Sequence, residues 1–336
     1  VPIPIVVAAD ESFAVGAGVL MQSVIETTSE RVHFYFFHDA LTPASRALIE
    51  QTVAASSRSD LTMVDAGRAL AALPAPQRTD AYTKMTYARL LTPDYVPADR
   101  AIYLDSDTLV RADINTLFQH DMAGRPVAAV RDYAAVRLSL RSQVERDYFN
   151  DATDGRGVDD YFNAGVLLLD LARLRREGQL QRSLELVASS RKLRFADQCA
   201  LNLAIRGQYT PLAERWNTNV AHQGMTRDPL APASLRQRVQ AAFDAPAVLH
   251  YVGPKPWTMF PTVLKREHQE VLRRSPWRNY RQPMSTLSWQ QKQQLIKAWR
   301  SRAVSVRIRS SEVNIQLLGR QLVHWTRAEP TPSKAA

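Results

Sequence analysis

Residues 101–110 read AIYLDSDTLV, and the fold turns on how this stretch is placed. Four apolar or aromatic residues lead into Asp105-Ser106-Asp107, and apolar residues then resume. In a strand, residues i and i+2 share a face, so Asp105 and Asp107 point together if the strand runs through both. In an open α/β sheet, ligands sit beyond the carboxyl ends of the strands. Two carboxylates there suit a hard divalent cation such as Mg²⁺ or Mn²⁺, which can bridge a diphosphate. The same Asp-x-Asp can also be a turn that caps a helix starting near Asp113.

The stretch sits inside a regular alternation. IPIVVAA (3–9), VHFYFFH (32–38) and LTMVD (61–65) read as strands. Helical patterns at 13–28 and 42–56 separate them, the second opened by Thr42-Pro43, a helix-start signal. The β-α-β-α-β order implies an α/β domain with a mainly parallel sheet. Residues 74–80 read as a surface loop, 84–97 as helical until Pro93, 101–104 as a strand and 113–119 as a helix. VAAVRD (127–132) reads as a strand, and the polar stretch 133–160, which contains DGRG, as a mobile segment or lid. NAGVLLLDL (163–171) is a buried strand that enters a helix, 196–207 a helix ended by Gly207, and 247–251 a late strand. No GxGxxG or GxxxxGK[ST] follows a strand, so a bound nucleotide needs another holder for its phosphates.

Of the 336 residues, 45% are hydrophobic and 23% charged, enough for a large core. The net charge of +10 is uneven. Residues 265–336 hold 15 Lys+Arg and 4 Asp+Glu, leaving residues 1–264 nearly neutral. A basic segment on a neutral body, with no recognised nucleic-acid module, makes nucleic acid an unexpected partner. The single cysteine, Cys199, excludes an intramolecular disulfide and points to a reducing compartment, the cytoplasm. No apolar run reaches the roughly 18 residues of a membrane-spanning helix. The opening VPIPIVVAADES reads as a strand rather than a signal peptide.

Within the basic segment, 286–302 reads as a helix started by a Ser288/Gln291 capping box. Leu295, Ile296, Trp299 and Ala303 form its apolar stripe, with Lys292, Lys297, Arg300 and Arg302 nearby. The period of 303–325 fits helix or strand. A basic, tryptophan-bearing amphipathic segment suits an anionic membrane surface; a helical subdomain packed on the core is the alternative.

YLDSDTLVRADINTLF (103–118), VVAAD (6–10), TYARLL (86–91), YFNAGVLLLDL (161–171), ADQCALN (196–202) and LHYVGPKPW (249–257) form an ordered set. That set resembles glycosyltransferase family 8, and within it the bacterial lipopolysaccharide and lipooligosaccharide α-glucosyl- and α-galactosyltransferases. SPWRNY (275–280) looks like the carboxyl-terminal extension of those enzymes. The resemblance implies a GT-A fold, Rossmann-like, with a mainly parallel mixed sheet flanked by helices. A catalytic domain over 1–264 would carry a basic helical extension over 265–336. The implied reaction is transfer of glucose or galactose from UDP-glucose or UDP-galactose, with Mn²⁺ or Mg²⁺ and with retention. The implied acceptor is a lipid-linked oligosaccharide at the inner face of the bacterial cytoplasmic membrane.

By the same resemblance Asp105, Asp107 and His250 bind the metal, with Ser106 between the carboxylates at the donor. Ala8, Ala9 and Asp10 match nucleotide contacts, and Ser12 stands where the family often has Asn. Gly253 and Lys255 match the diphosphate loop, one residue shorter than the common GPxKPW. Arg89, Asn163, Ala164, Asp197 and Gln198 match the donor-sugar neighbourhood, with Gln198 and Asp197 at the reacting carbon. An amide is a poor nucleophile, so Gln198 implies attack by the acceptor from the leaving-group face.

Two other readings accompany this one. A Mg²⁺-dependent phosphohydrolase would use Asp105 as nucleophile, although the Gly-Thr step of the haloacid-dehalogenase-like enzymes is missing from DSDTLV. A basic membrane-binding protein would use the Asp pair only structurally.

Overall fold

Strand β1 (Ile3–Ala9) is buried along its whole length. Ile3, Ile5, Val7 and Ala9 enter one core, and Val6 and Ala8 the other. A strand covered on both faces reads as a continuous apolar run, which is why this one lacks polar alternation. The computed structural model describes residues 1–77, 82–189 and 191–282, and the backbone of three strands between 304 and 326.

After β1 come α1 (Ala14–Thr27), β2 (Val32–His38), α2 (Pro43–Ala54), β3 (Ser59–Asp65) and α3 (Gly67–Ala71). Thr42 caps α2 by accepting from the Ser45 amide at 3.2 Å, with Pro43 in the first turn. A 3₁₀ segment (Lys84–Leu91) leads into α4 (Thr92–Tyr95), then β4 (Arg100–Asp105), β5 (Thr108–Val110), α5 (Asn115–Phe118) and β6 (Val127–Arg131). There follow α6 (Tyr133–Ser139), α7 (Gln143–Ala152), β7 (Phe162–Asp170), α8 (Leu171–Glu177), α9 (Gln179–Ala188) and α10 (Ala196–Ile205). The unit closes with β8 (Tyr209–Pro211), β9 (Thr218–Asn219), α11 (Ala233–Asp244), β10 (Val248–His250) and α12 (Lys265–Arg274).

The main sheet has the order β3-β2-β1-β4-β7-β6-β8. Only β7 runs antiparallel to its neighbours. The chain leaves β1 on one side for β2 and returns on the other as β4, so a crevice opens at their carboxyl ends. Ala8 pairs with Asp105 there. A second sheet, β5-β10-β9, sets His250 opposite Thr108 and beside Asn219.

Several expectations change. β4 stops at Asp105, and Ser106-Asp107 form a turn closed by the Thr108 hydroxyl donating to the Asp105 carbonyl at 2.7 Å. The two carboxylates therefore converge through a turn, not through strand alternation. Pro93 does not end a helix but stands in the first turn of α4, where its missing N–H is no loss. The stretch 133–160 is largely helical: Asp132 caps α6 and Ser142 caps α7, and Phe149 and Ala152 are buried.

The chain divides at Tyr280 into two units. Residues 265–280, read from the sequence as part of the extension, belong to the first, with Val271, Leu272 and Trp277 in its core. The described part of the second unit is an antiparallel sheet of β11 (Val304–Arg309), β12 (Glu312–Leu317) and β13 (Arg320–Thr326). The expected extension is thus helical over Lys265–Arg274 and strand-forming over 304–326, and the helix read over 286–302 lies outside the described residues.

Candidate active site

The crevice holds a pocket of about 130 Å³, open to solvent. Ala8, Ala9, Asp10, Arg89, Asp105, Ser106, Asp107 and Lys255 line it, with Phe13, Thr83, Thr86 and Tyr103. Outside this lining, Ala164, Asp197 and His250 bond to it and Gln198 bonds to Ala164, whereas Asn163 is tied to Asp132, Gly165 and Asn217. Ser12 donates to Asp10 Oδ1 at 2.6 Å, and Thr83 donates to Asp10 Oδ2 at 2.9 Å. Asp10 thus tethers the turn into α1. Gly253 has φ +98°, a conformation that favours glycine, and a side chain there would meet open space.

His250 Nε2 lies 3.2 Å from Asp107 Oδ1 and 3.7 Å from Asp105 Oδ2. Ligand atoms of the three residues fall within 4.8 Å of one another. The tautomer of His250 follows from a chain of bonds with an unambiguous start. The Gly165 amide donates to Asn163 Oδ1 at 3.0 Å, so that atom is oxygen. Asn217 Nδ2 donates to the same oxygen at 2.8 Å, which turns Asn217 Oδ1 toward His250 Nδ1 at 2.9 Å. Nδ1 therefore carries the proton, and the Nε2 lone pair faces the carboxylates, as a metal ligand requires. Gly165 itself is obligatory: a β-carbon there would stand 2.3 Å from His250 Cε1 and 2.8 Å from Asp105 Oδ2. The donor set of two carboxylates and one imidazole fits Mn²⁺, and Mg²⁺ less well.

Opposite charges press on this cluster from two sides. Lys255 Nζ lies 2.5 Å from Asp107 Oδ2. Burial opposes ionisation of Asp107, but the Lys255 ammonium pulls the other way, and the carboxyl is held well below the usual range. Arg89, almost fully buried, reaches Asp105 at 2.8 Å and Asp197 at 2.8 Å, donates to the Ala164 carbonyl, and stacks 4.5 Å over the Tyr103 ring. One guanidinium serves two carboxylates. Burial accordingly pushes Asp197 up to about 6, against the pull of Arg89 and of Thr86, which donates to it.

Asp197 thus sits beneath Arg89, closed on that pair rather than facing the pocket. Gln198 accepts from the Ala164 amide at 3.1 Å and donates to Asp132 Oδ2 at 2.8 Å. Asn163 donates to that same oxygen at 3.1 Å. Asp132, Gly165, Asn217 and Tyr103 were not singled out from the sequence. Only Gly165 carried a signal, a glycine inside the apolar strand run of NAGVLLLDL.

The profile of glycosyl transferase family 8 matches residues 4–260. Glycosyltransferase GlyE of Streptococcus pneumoniae is 29% identical over 194 residues, 54% of this chain and 39% of its own length. The lipopolysaccharide 1,2-glucosyltransferase of Escherichia coli is 24% identical over 208 residues, 60% of this chain and 57% of its own length. The chain spans less than two thirds of either relative. An active-site mutant of LgtC matches in structure with a TM-score of 0.67 at 25% identity, covering 86% of this chain and 100% of that one. The GT-A fold expected from the sequence is the fold observed.

Proposed function

This chain belongs to glycosyltransferase family 8, and we propose that it moves glucose or galactose from UDP-glucose or UDP-galactose to a lipid-linked oligosaccharide, with retention. Family membership sets aside the phosphohydrolase. The observation that carries the proposal is the convergence of Asp105, Asp107 and His250 at a pocket that Lys255 also lines. These three residues would hold Mn²⁺ or Mg²⁺. Such an ion would act as a Lewis acid that offsets the negative charge building as the phosphate leaves.

The chain's own residues supply the rest. Ala8 and Ala9 leave room for the nucleotide beside Asp10, whose carboxylate can accept an N–H of the base. Lys255 donates to the leaving diphosphate, a contact that strengthens as its charge grows. Gln198, held by Asp132 and Ala164, would steady the positive charge that develops at the sugar carbon. The acceptor hydroxyl attacks from the face that the phosphate leaves. The carbon–oxygen bond to phosphate breaks, the bond to the acceptor oxygen forms, and the hydroxyl proton passes to the phosphate.

A lipid-linked acceptor is supported by the likeness to the lipopolysaccharide 1,2-glucosyltransferase and by the basic residues 265–336, which suit an anionic membrane surface. On this reading the enzyme would work at the inner face of the cytoplasmic membrane. No described helix is long and apolar enough to cross a membrane. The test is transfer from each α-linked UDP-hexose to a truncated lipooligosaccharide core, with the anomer read by NMR. An α-linked product is expected; a β-linked product would contradict retention.

A further inference from the structure

Helix α1 carries a glycine where two arms of the site meet. Phe13, just before the helix, and Gly16 are three residues apart and share a side. Phe13 packs edge-on against Trp257, with ring centroids 5.5 Å apart, and Lys255 Nζ lies 5.5 Å from the Phe13 ring. A β-carbon on Gly16 would stand 2.5 Å from the Ser106 carbonyl oxygen and 2.6 Å from two atoms of the Trp257 indole. Ser106 separates the two metal-binding carboxylates. Trp257 follows Lys255 by two residues and is held in turn by His268, with ring centroids 5.7 Å apart.

Gly16 is absent from the positive-φ residues, so its backbone does not call for glycine. Helix propensity favours alanine at such a position. The space is what glycine provides, and it is shared by the turn that carries the metal ligands and the loop that carries Lys255.

We propose that Gly16 is a positioning residue that sets the distance between the Asp105–Asp107 turn and the Lys255 loop. In the donor complex this is the distance between the metal and diphosphate contacts. The inference rests on the proposed reading of the site. Gly18, one half-turn on, is the matched comparison, because its β-carbon would strike Trp277 Nε1 at 2.0 Å and not the site.

The experiment measures binding of Mn²⁺ alone by electron paramagnetic resonance, thermal unfolding, and donor KM against kcat. Gly16→Ala should weaken Mn²⁺ binding about tenfold or more, as displaced outer residues of metal sites do, and raise the donor KM. Gly18→Ala should lower the melting temperature and leave Mn²⁺ binding unchanged. In a Trp257→Leu background, which relieves one of the two contacts and guards against failure to fold, Gly16→Ala should raise the KM less than it does in the parent. It should still weaken Mn²⁺ binding, because the Ser106 backbone remains. Gly16→Ala that binds Mn²⁺ like the parent and melts higher overturns the inference alone. A parent protein that binds no Mn²⁺ overturns the reading of the site and the inference with it.

Discussion

Lys255 Nζ lies 2.5 Å from Asp107 Oδ2, while the other oxygen of the same carboxylate faces His250. The ammonium would therefore compete with a divalent cation for Asp107, and would turn to the diphosphate once the cation holds that carboxylate. Lys255→Met should bind Mn²⁺ about tenfold more tightly without donor, since it removes a positive charge a few ångströms from the site. It should also cut transfer by about 10²–10³-fold, as the loss of a charge-stabilising donor does. Calorimetry and initial rates on the same preparation read both.

Gly165→Ala places a β-carbon against His250 and Asp105. The strand is paired on both sides by β4 and β6, so it cannot retreat. Mn²⁺ affinity should fall about 10–100-fold, with the donor KM rising in step. Titration of the metal against wild type checks this.

Arg89 neutralises two carboxylates in a buried setting. Arg89→Met leaves Asp105 and Asp197 facing each other without their cation. The expected loss of stability is about 3–5 kcal/mol, measured by urea unfolding. A second change, Asp197→Asn, should recover part of it by removing one uncompensated charge.

His268 is buried and its imidazole is held down to about 3 from 6.5, by burial and then by Lys265. The unfolded chain takes up this proton below its ordinary value, and the folded chain does not. The stability that neutral His268 contributes is present above about 6.5 and is lost as pH falls toward 3. Against His268→Phe, the wild type should lose stability progressively across that window and show a constant difference above it. Melting temperatures of the two proteins over the pH series provide the comparison.

The strands and the Asp105–Asp107 pair were legible because both have local signatures. Apolar runs such as 3–9 and 163–171 are continuous when both faces are buried, and Asp105-Ser106-Asp107 interrupts such a run. The orienting residues were not legible. Asn217 meets His250 only because β9 and β10 pair, and Asp132 meets Gln198 only because β6 lies beside β7. Neither neighbour is close in sequence. The polar stretch 133–160 misled because its helix caps, Asp132 and Ser142, use the same residue types as loops. In 303–325, six- and seven-residue strands alternate too briefly for the period to separate them from helix.

The central claim is that Asp105, Asp107 and His250 hold a metal that serves UDP-sugar cleavage. It is tested most directly by following UDP release from UDP-glucose and UDP-galactose with Mn²⁺, in the wild type, Asp105→Asn and Asp107→Asn. The account predicts slow release by the wild type from at least one donor, stopped by EDTA, and none by either variant while both stay folded. Release at the wild-type rate by either variant, or release indifferent to EDTA, would contradict it.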